Sequence, residues 1–360
     1  MRALVIILFL LASGALAQPA TVNGIVRDAS GFPLPGANVY LSGTARGAAS
    51  DADGKYSIED VPPGAYRIVA SMLGYQAAVR EIRLAGGARI YVTLELEPSA
   101  VEMGTARVEA ERDRRWERRL AQFARVLLGE SANADSTRIL NPEVLSFRSS
   151  WGTLTATAAA PLLIENRALG YRLRYDLHEF EASSGRVRYH GDEVFEPLAP
   201  EDSAEARRWA AARKRAYLGS QAHLFRALLE GTAEDEGFTL LHVFDGDGLD
   251  RRAEGATFRT SSDDLLQEAS YGWGTLRFRG RVDVAYGGEP EDEAYLTSEW
   301  FRERRRVPDP VQRSTLHLNE TSVRLDPQGT PEDPFAISTS GYMAYERLAD
   351  RVPEEYRPEE

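Results

Sequence analysis

Two short stretches share one metal-ligand spacing. His190-Gly191-Asp192-Glu193 and His178-Glu179-Phe180-Glu181 each set a histidine three residues ahead of a glutamate. A hydrolytic zinc ion takes imidazole and carboxylate ligands and leaves one position to water. His242 and His317 lie downstream as sources of a further imidazole. The surroundings argue against that chemistry. The 190–193 stretch follows a hairpin strand, and Gly191, Phe195 and Leu198 read as a strand–turn–strand junction. A chain with 55 Asp and Glu produces an H-x-x-E by chance, and the second copy underlines this. The flanking segments lack the strand–helix alternation of a parallel α/β catalytic domain.

Nucleophilic chemistry has less support. No G-x-S-x-G elbow is present. Ser220 and His223 are neighbours on a helix, but spacing within one helix does not activate a hydroxyl. His223 reads as a packed or capping histidine. Asp51-Ala52-Asp53-Gly54 could suggest a calcium loop, yet no distant acid follows at the needed spacing, so a turn is expected. Asp245-Gly246-Asp247-Gly248 reads as a polar turn for the same reason. There is no phosphate loop and no dinucleotide fingerprint. The expectation is a non-enzyme with no catalytic, cofactor-binding or metal residues. An uncharacterised hydrolase is the alternative, in which Glu165, Asn166, Tyr217, Ser220 and His223 converge in one pocket.

The positioning elements follow from composition and pattern. The 360 residues suggest about two domains, and 43% hydrophobic content can fill their cores. A net charge of −12 disfavours nucleic acid as a partner. Arg304-Arg305-Arg306, flanked by Glu303 and Asp309, reads as a solvated face. Met1-Arg2, the apolar run Leu4 to Leu11 and Ala15-Leu16-Ala17 have the layout of a signal peptide over 1–17. Export to the periplasm, the outer membrane or beyond is therefore expected, with no transmembrane segment after cleavage. The chain has no Cys, so it has no lipoprotein acylation site and no disulfides.

From Thr21 onward, short alternating segments are separated by turn residues. Val22, Gly24 and Val26 share a face, as do Val39 with Leu41, Tyr56 with Ile58, and Tyr66 with Ile68 and Ala70. Ile82 with Leu84, then Ile90, Val92, Leu94 and Leu96, complete about seven strands. Asp51–Gly54 and Val61-Pro62-Pro63-Gly64 supply the turns. These residues specify a seven-stranded all-β sandwich over 18–97.

The same stretch resembles the carboxypeptidase-like regulatory domain, a transthyretin-like sandwich. The matching residues are Gly24–Asp28, Gly31, Pro33–Val39, Gly43-Thr44, Ser50-Asp51, Asp53–Tyr56, Val61–Gly64, Tyr66 and Leu73–Tyr75. The resemblance implies a fold and an exported setting, often ahead of an outer-membrane receptor barrel. It implies no catalysis. The chain is too short to add such a barrel, which needs about 22 strands.

Pro98 to Asp113 reads as a linker. In the segment beyond, Trp116, Leu120, Phe123 and Leu127 lie on one helix face, with Gly129 as its stop. Tyr171, Leu173, Tyr175 and Leu177 alternate, and Ser183-Ser184-Gly185 turns the chain back. One long helix is predicted near Ser203 to Glu230, weakened at Gly219. Leu276, Phe278, Val282, Val284 and Tyr286 suggest one further strand. Hairpins mixed with helices predict an α+β domain of antiparallel strands over 114–352, with 353–360 as a tail. Leu140–Leu145, Pro161–Asn166 with Leu169–Tyr171, Arg215–Leu228 and Gly341–Asp350 are similar to exported carboxypeptidase-like regulatory domain-containing proteins of Bacteroidota. The functional expectation is a cell-envelope protein that binds or scaffolds protein or glycan. A further alternative is an outer-membrane accessory to a TonB-type transport system. Oligomeric state is left open.

Overall fold

The computed structural model describes residues 18–98, 114–244, 256–268, 272–298, 301, 305 and 307–358. The expected signal segment, nearly all of the linker and the Asp245–Gly248 turn lie outside these residues.

Seven strands form the N-terminal sandwich: β1 (Ala20–Asp28), β2 (Asn38–Leu41), β3 (Gly47–Ala49), β4 (Lys55–Val61), β5 (Gly64–Ser71), β6 (Ala78–Leu84) and β7 (Arg89–Leu96). One sheet has the order β4-β1-β7 and the other β3-β2-β5-β6. β1 runs parallel to β7, while the remaining pairs in both sheets are antiparallel. The inward faces are those read from the alternation, with Val22, Val26, Val39, Leu41, Tyr56, Ile58, Ile68 and Leu94 in one buried cluster. Gly24 is required where it stands. A Cβ there would lie 1.9 Å from the Val92 carbonyl oxygen and 2.5 Å from the Tyr56 hydroxyl. Tyr56 crosses that gap to donate to the Val92 carbonyl at 2.8 Å. At the expected turn, Asp51 Oδ1 accepts from the Asp53 and Lys55 amides, so its charge is spent on the chain's own backbone. This turn carries the chain from β3 to β4 and hence between the two sheets.

The next region begins with α1 (Arg114–Leu128) and continues through β8 (Thr137–Ile139), β9 (Leu145–Ser150), β10 (Thr153–Ala158), β11 (Leu162–Asn166), β12 (Tyr171–Ser183) and β13 (Arg186–Pro197). β12 is the spine of this sheet. It pairs with β13 along one edge and with β11 and β10 along the other. The odd-numbered residues Tyr171 to Leu177 face the core as predicted, but Phe180 and Ala182 then take over. A β-bulge between Leu177 and Glu179 causes the change of parity. Phe123 of α1 packs on Phe180, with ring centroids 4.6 Å apart.

Two helices follow, α2 (Ser203–Tyr217) and α3 (Gln221–Glu230), in place of the single long helix that the periodicity predicts. The break lies at Leu218-Gly219-Ser220, where Gly219 takes φ +77°. A propensity argument alone would call Gly219→Ala stabilising by about 1 kcal/mol. The structure reverses that sign. A Cβ here would sit 2.2 Å from Gln312 Oε1 and 2.7 Å from the Tyr286 ring, on left-handed backbone. Gly219→Ala is expected to cost about 2 kcal/mol; a raised melting temperature would show that the corner is not needed.

The remaining elements are β14 (Phe238–Val243), β15 (Thr257–Thr260), α4 (Ser262–Leu265), β16 (Leu266–Glu268), β17 (Gly274–Leu276), β18 (Arg281–Tyr286), β19 (Gln312–Leu318), β20 (Val323–Leu325), β21 (Ile337–Gly341) and α5 (Tyr342–Tyr345). They form an antiparallel sheet of order β15-β14-β18-β19-β21 and a smaller one of order β16-β17-β20. The single strand expected across 276–286 is two strands in different sheets, separated at Gly280 with φ +84°. Among the described residues the α+β region holds two large buried clusters and a small one of Tyr295, Tyr342 and Tyr345. One large cluster joins α1, the β12 sheet and part of α2, and the other joins α3 to the later sheets. Arg305, read from sequence as part of a solvated face, instead forms a two-pronged pair with Glu291, which is 4% exposed.

The sandwich is fixed to the rest of the molecule. Thr44 forms a parallel bridge with Val194 of β13. The Gly43 amide donates to the Glu193 carbonyl at 2.7 Å, and the Phe195 amide to the Thr44 carbonyl at 2.9 Å. Tyr40, on the outer face of its sheet, is buried against Val69 and Val194. A second tie joins the later region: the Ala65 amide donates to Asp326 Oδ2, and Gln328 to the Pro63 carbonyl. The expected tail also packs. The Glu354 amide donates to the Gly43 carbonyl, and Arg226 holds the Glu354 and Tyr356 carbonyls.

Candidate functional site

The bulge in β12 has a chemical result. His178 is skipped in the pairing of β12 with β13, and its Nε2 donates to Asp192 Oδ2 at 2.8 Å. Arg67 reaches across from β5, donating to the same carboxylate at 3.0 Å and lying 2.6 Å from His190 Nε2. Asp192 is 1% exposed. Burial favours its neutral form, but the bonds from His178 and the charge of Arg67 outweigh this and hold it ionised. The hydrogen bond to Asp192 raises the pKa of His178. Burial, reinforced by Arg67, pushes His190 down to about 4, so His190 is a neutral acceptor for the guanidinium. This cluster joins the sandwich to the β12–β13 hairpin.

The H-x-x-E residues at 190–193 therefore have separate partners. His190 faces Arg67, while Glu193 Oε1 accepts from Arg351 at 2.6 Å. The earlier pair divides likewise, with Glu179 bound to Arg188 and His178 to Asp192. His242 lies 2.6 Å from the Arg279 carbonyl, and His317 is exposed on β19. Among the described residues no group of three His, Asp or Glu is arranged to hold a metal ion.

Ser220 is the N-cap of α3 and accepts from the His223 amide. His223 is 2% exposed. Its Nδ1 accepts from the Gly219 amide at 3.0 Å, which leaves Nε2 to donate to Glu236 at 2.7 Å. Tyr217, Phe238 and Tyr286 surround the ring. Burial lowers its pKa, against the pull of Glu236. The residue secures the α2–α3 corner. Glu165 binds Arg167 and Arg172 on the surface, and Asn166 ties Leu169 to Ala349. Of the five residues of the hydrolase alternative, Tyr217, Ser220 and His223 meet at the α2–α3 corner, while Glu165 and Asn166 make their bonds elsewhere.

A cleft of about 520 Å³ opens between β13 on one wall and α3 with β21 on the other. The 343–354 segment lines its base, and Ser220, His190 and Glu193 also reach it. Its size is in the range of small-ligand sites. Its carboxyls are unusual. Burial pushes Glu354 up to about 8, helped by Asp326 and Glu193. Burial also raises Glu346 well above the carboxylate range, with Asp350 and Glu289 adding to it. Asp350 rises to about 6 through burial, although Ser131 and Asn133 bond to it. Glu193 is raised by burial and restrained by Arg351. Glu346 and Glu354 keep some access to solvent because they line the opening. Shifts of this kind concentrated in a cleft mark a functional-site candidate. Sequence reasoning missed Glu346, Glu354 and Arg226, since no motif or spacing links 226 with 346–354.

The raised carboxyl of Glu354 has a consequence for stability. A group whose folded pKa exceeds its unfolded value stabilises the fold below the unfolded pKa and loses that contribution as pH rises through the folded one. Between about pH 4.5 and about pH 8, Glu354 therefore weakens the fold progressively. Glu354→Gln stays neutral. Its melting temperature is expected to fall less than the parent's between those values in a pH series; parallel curves would show that Glu354 ionises freely.

Residues 21–97 match the family model of the carboxypeptidase regulatory-like domain. The N-terminal β-sandwich is that domain. The chain is similar to TonB-dependent receptor P3 of Formosa agariphila, with 37% identity over 101 residues, 27% of this chain and 10% of that protein. It is also similar to TonB-dependent receptor SusC of Bacteroides thetaiotaomicron, with 44% identity over 62 residues, 17% of this chain and 6% of that protein. The chain thus covers a tenth or less of the length of these relatives. A solved type II cohesin–X-dockerin complex from Acetivibrio cellulolyticus is similar over 22% of this chain and 58% of that one, at 20% identity and a TM-score of 0.20. No helix among the described residues is long and apolar enough to cross a membrane.

Proposed function

We propose that this chain is an exported, non-enzymatic protein of the cell envelope that binds a protein or glycan partner. The regulatory-like domain is its fixed adaptor, and the α+β region carries the binding cleft. The observation that carries this reading is the domain over 21–97, which TonB-dependent receptors share. Its attachment supports the reading: strand pairing, the Arg67–Asp192 pair and the tail all hold the sandwich against the cleft-bearing region. A module held this way transmits position rather than swinging on a tether. The same relatives favour a place beside a TonB-linked transport system.

Crosslinking in the intact envelope, followed by fractionation, tests this. Recovery with the outer-membrane or periplasmic fraction, crosslinked to an envelope receptor, is the expected result. Recovery in the cytosol overturns it. Metal analysis tests the non-enzymatic part, because stoichiometric zinc that is lost in His190→Ala would restore the hydrolase alternative.

A further inference from the structure

We propose that the cleft binds an organic cation bearing a primary ammonium group, received by Glu193 and Glu354. This rests on the reading of the cleft as a binding site and names what enters it. Three observations support it.

The first is an incomplete carboxylate. Glu193 is 6% exposed and lines the cleft. Its Oε1 accepts from Arg351, but its Oε2 is buried with no hydrogen-bond partner. A buried acceptor left without a donor is a standing cost, which a ligand donor removes. The second is a neighbouring carboxyl, part-exposed and also without a bonded donor. The Glu354 side chain has no hydrogen bond or ion pair among the described residues, and its proximity to Glu193 is felt electrostatically. Glu346 is a third carboxyl on the lining without a bonded partner among the described residues.

The third is that the cations beside these carboxyls are already engaged. Arg351 serves Glu193. Arg226 is spent on the carbonyls of Gln328, Glu354 and Tyr356. Arg188 pairs with Glu179 and stacks on Phe335, with its guanidinium carbon 3.8 Å from the ring centroid. An anionic ligand placed at Glu193 and Glu354 would meet donors that are taken and carboxyls that are not; Arg186, a lining cation without a side-chain partner among the described residues, lies seven residues from Glu193 along the extended β13. An ammonium group brings three donors and one charge to acceptors that lack both. Tyr189 on the same lining is half-buried and adds apolar surface for the methylene chain that follows the nitrogen.

The charge accounting has an observable side. Glu354 is largely protonated near neutrality, so a bound ammonium favours its ionised form and the proton leaves to buffer. The charged and titratable groups around Glu354 are Glu193, Asp326, Arg351 and Arg226, with Tyr66 facing it from the sandwich.

Calorimetric titration of the full chain tests this with spermidine, a Gly-Lys-Gly peptide acetylated at its N-terminus and amidated at its C-terminus, the same blocked peptide acetylated also on lysine, and maltotriose. Spermidine and the lysine peptide stand for the free and the protein-borne source of the ammonium group. Binding of either one, lost on lysine acetylation for the peptide and weakened at least about tenfold in Glu354→Gln, supports the proposal. Release of a proton to buffer on binding supports it further. Glu354→Gln is isosteric and neutral, so a melting curve at pH 7 can certify its fold. No binding of either amine up to roughly 10 mM, or equal binding of the lysine-acetylated peptide, overturns it. Binding of maltotriose alone overturns the cation and leaves the cleft as a binding site.

Discussion

Replacing Asp192 with Ala is expected to destabilise the full chain by about 3 kcal/mol and to separate the unfolding of the sandwich from that of the α+β region. The carboxylate is 1% exposed and neutralises Arg67 from one side of the interface and His178 from the other. Its removal leaves a guanidinium beside an apolar seam formed by Tyr40, Val69 and Val194. Breaking a buried pair costs more than the pair contributes, because the surviving charge stays desolvated. Arg67 and His178 are each about one-third exposed, which places the cost at the lower end of that range. Asp192→Asn keeps an acceptor and should lie between the two. All five tryptophans follow residue 98, so their fluorescence reports the α+β region alone. Circular dichroism in the far ultraviolet reports both regions. In urea the two signals should coincide for the parent chain and diverge for Asp192→Ala. Coincident curves with an unchanged midpoint would show that the backbone ties suffice without the cluster.

The sandwich was legible because each of its strands has one face toward a single core, and alternation reads that directly. Its failures are local to contacts between regions. Tyr40 reads as an outward residue and is one within its sheet, yet β13 covers it. No periodicity in 38–41 can report a partner from residue 194. The β12 alternation held until Leu177 and then changed parity, because a bulge inserts one residue into one strand. That residue is His178, the histidine of the earlier H-x-x-E stretch, and the bulge gives it an interface bond to Asp192. The helix over 203–230 had a sound periodicity on both sides of Gly219. What broke it was the space claimed by Tyr286 and Gln312, 67 and 93 positions later. The cleft was the least legible feature. Its walls come from β13, α3 and β21, and its base from a segment whose end read as a tail. Carboxyls such as Glu346 and Glu354 look like ordinary surface acids until the fold surrounds them.

Arg226 is one of the side chains that hold the end of that base, and it provides the second large expected effect. Arg226→Met is expected to cost about 4 kcal/mol and to free the 351–358 segment for proteolysis. The guanidinium is 3% exposed and donates from all three nitrogens, to the carbonyls of Gln328 at 2.7 Å, Tyr356 at 3.1 Å and Glu354. Hydrogen bonds from a charged donor contribute about 1.5–3 kcal/mol each, and two of these three are only partly buried, which keeps the sum below the maximum. Methionine retains much of the packing against Tyr217, where the guanidinium carbon lies 5.3 Å from the ring centroid, so the loss isolates the polar role. Arg226→Lys keeps the charge but places it at a single nitrogen, and an intermediate loss is expected. Trypsin gives a direct readout. Arg351 is followed by Val352 and its side chain is exposed, whereas Arg357 precedes Pro358. Cleavage after Arg351 needs the segment to lift from the cleft, and in Arg226→Met it should accelerate at least about tenfold. An unchanged melting temperature with an unchanged rate of that cut would place the hold on the tail in the other ties, among them the Glu354 amide to Gly43, the Ala45 amide to Glu355 and Arg351 to Glu193.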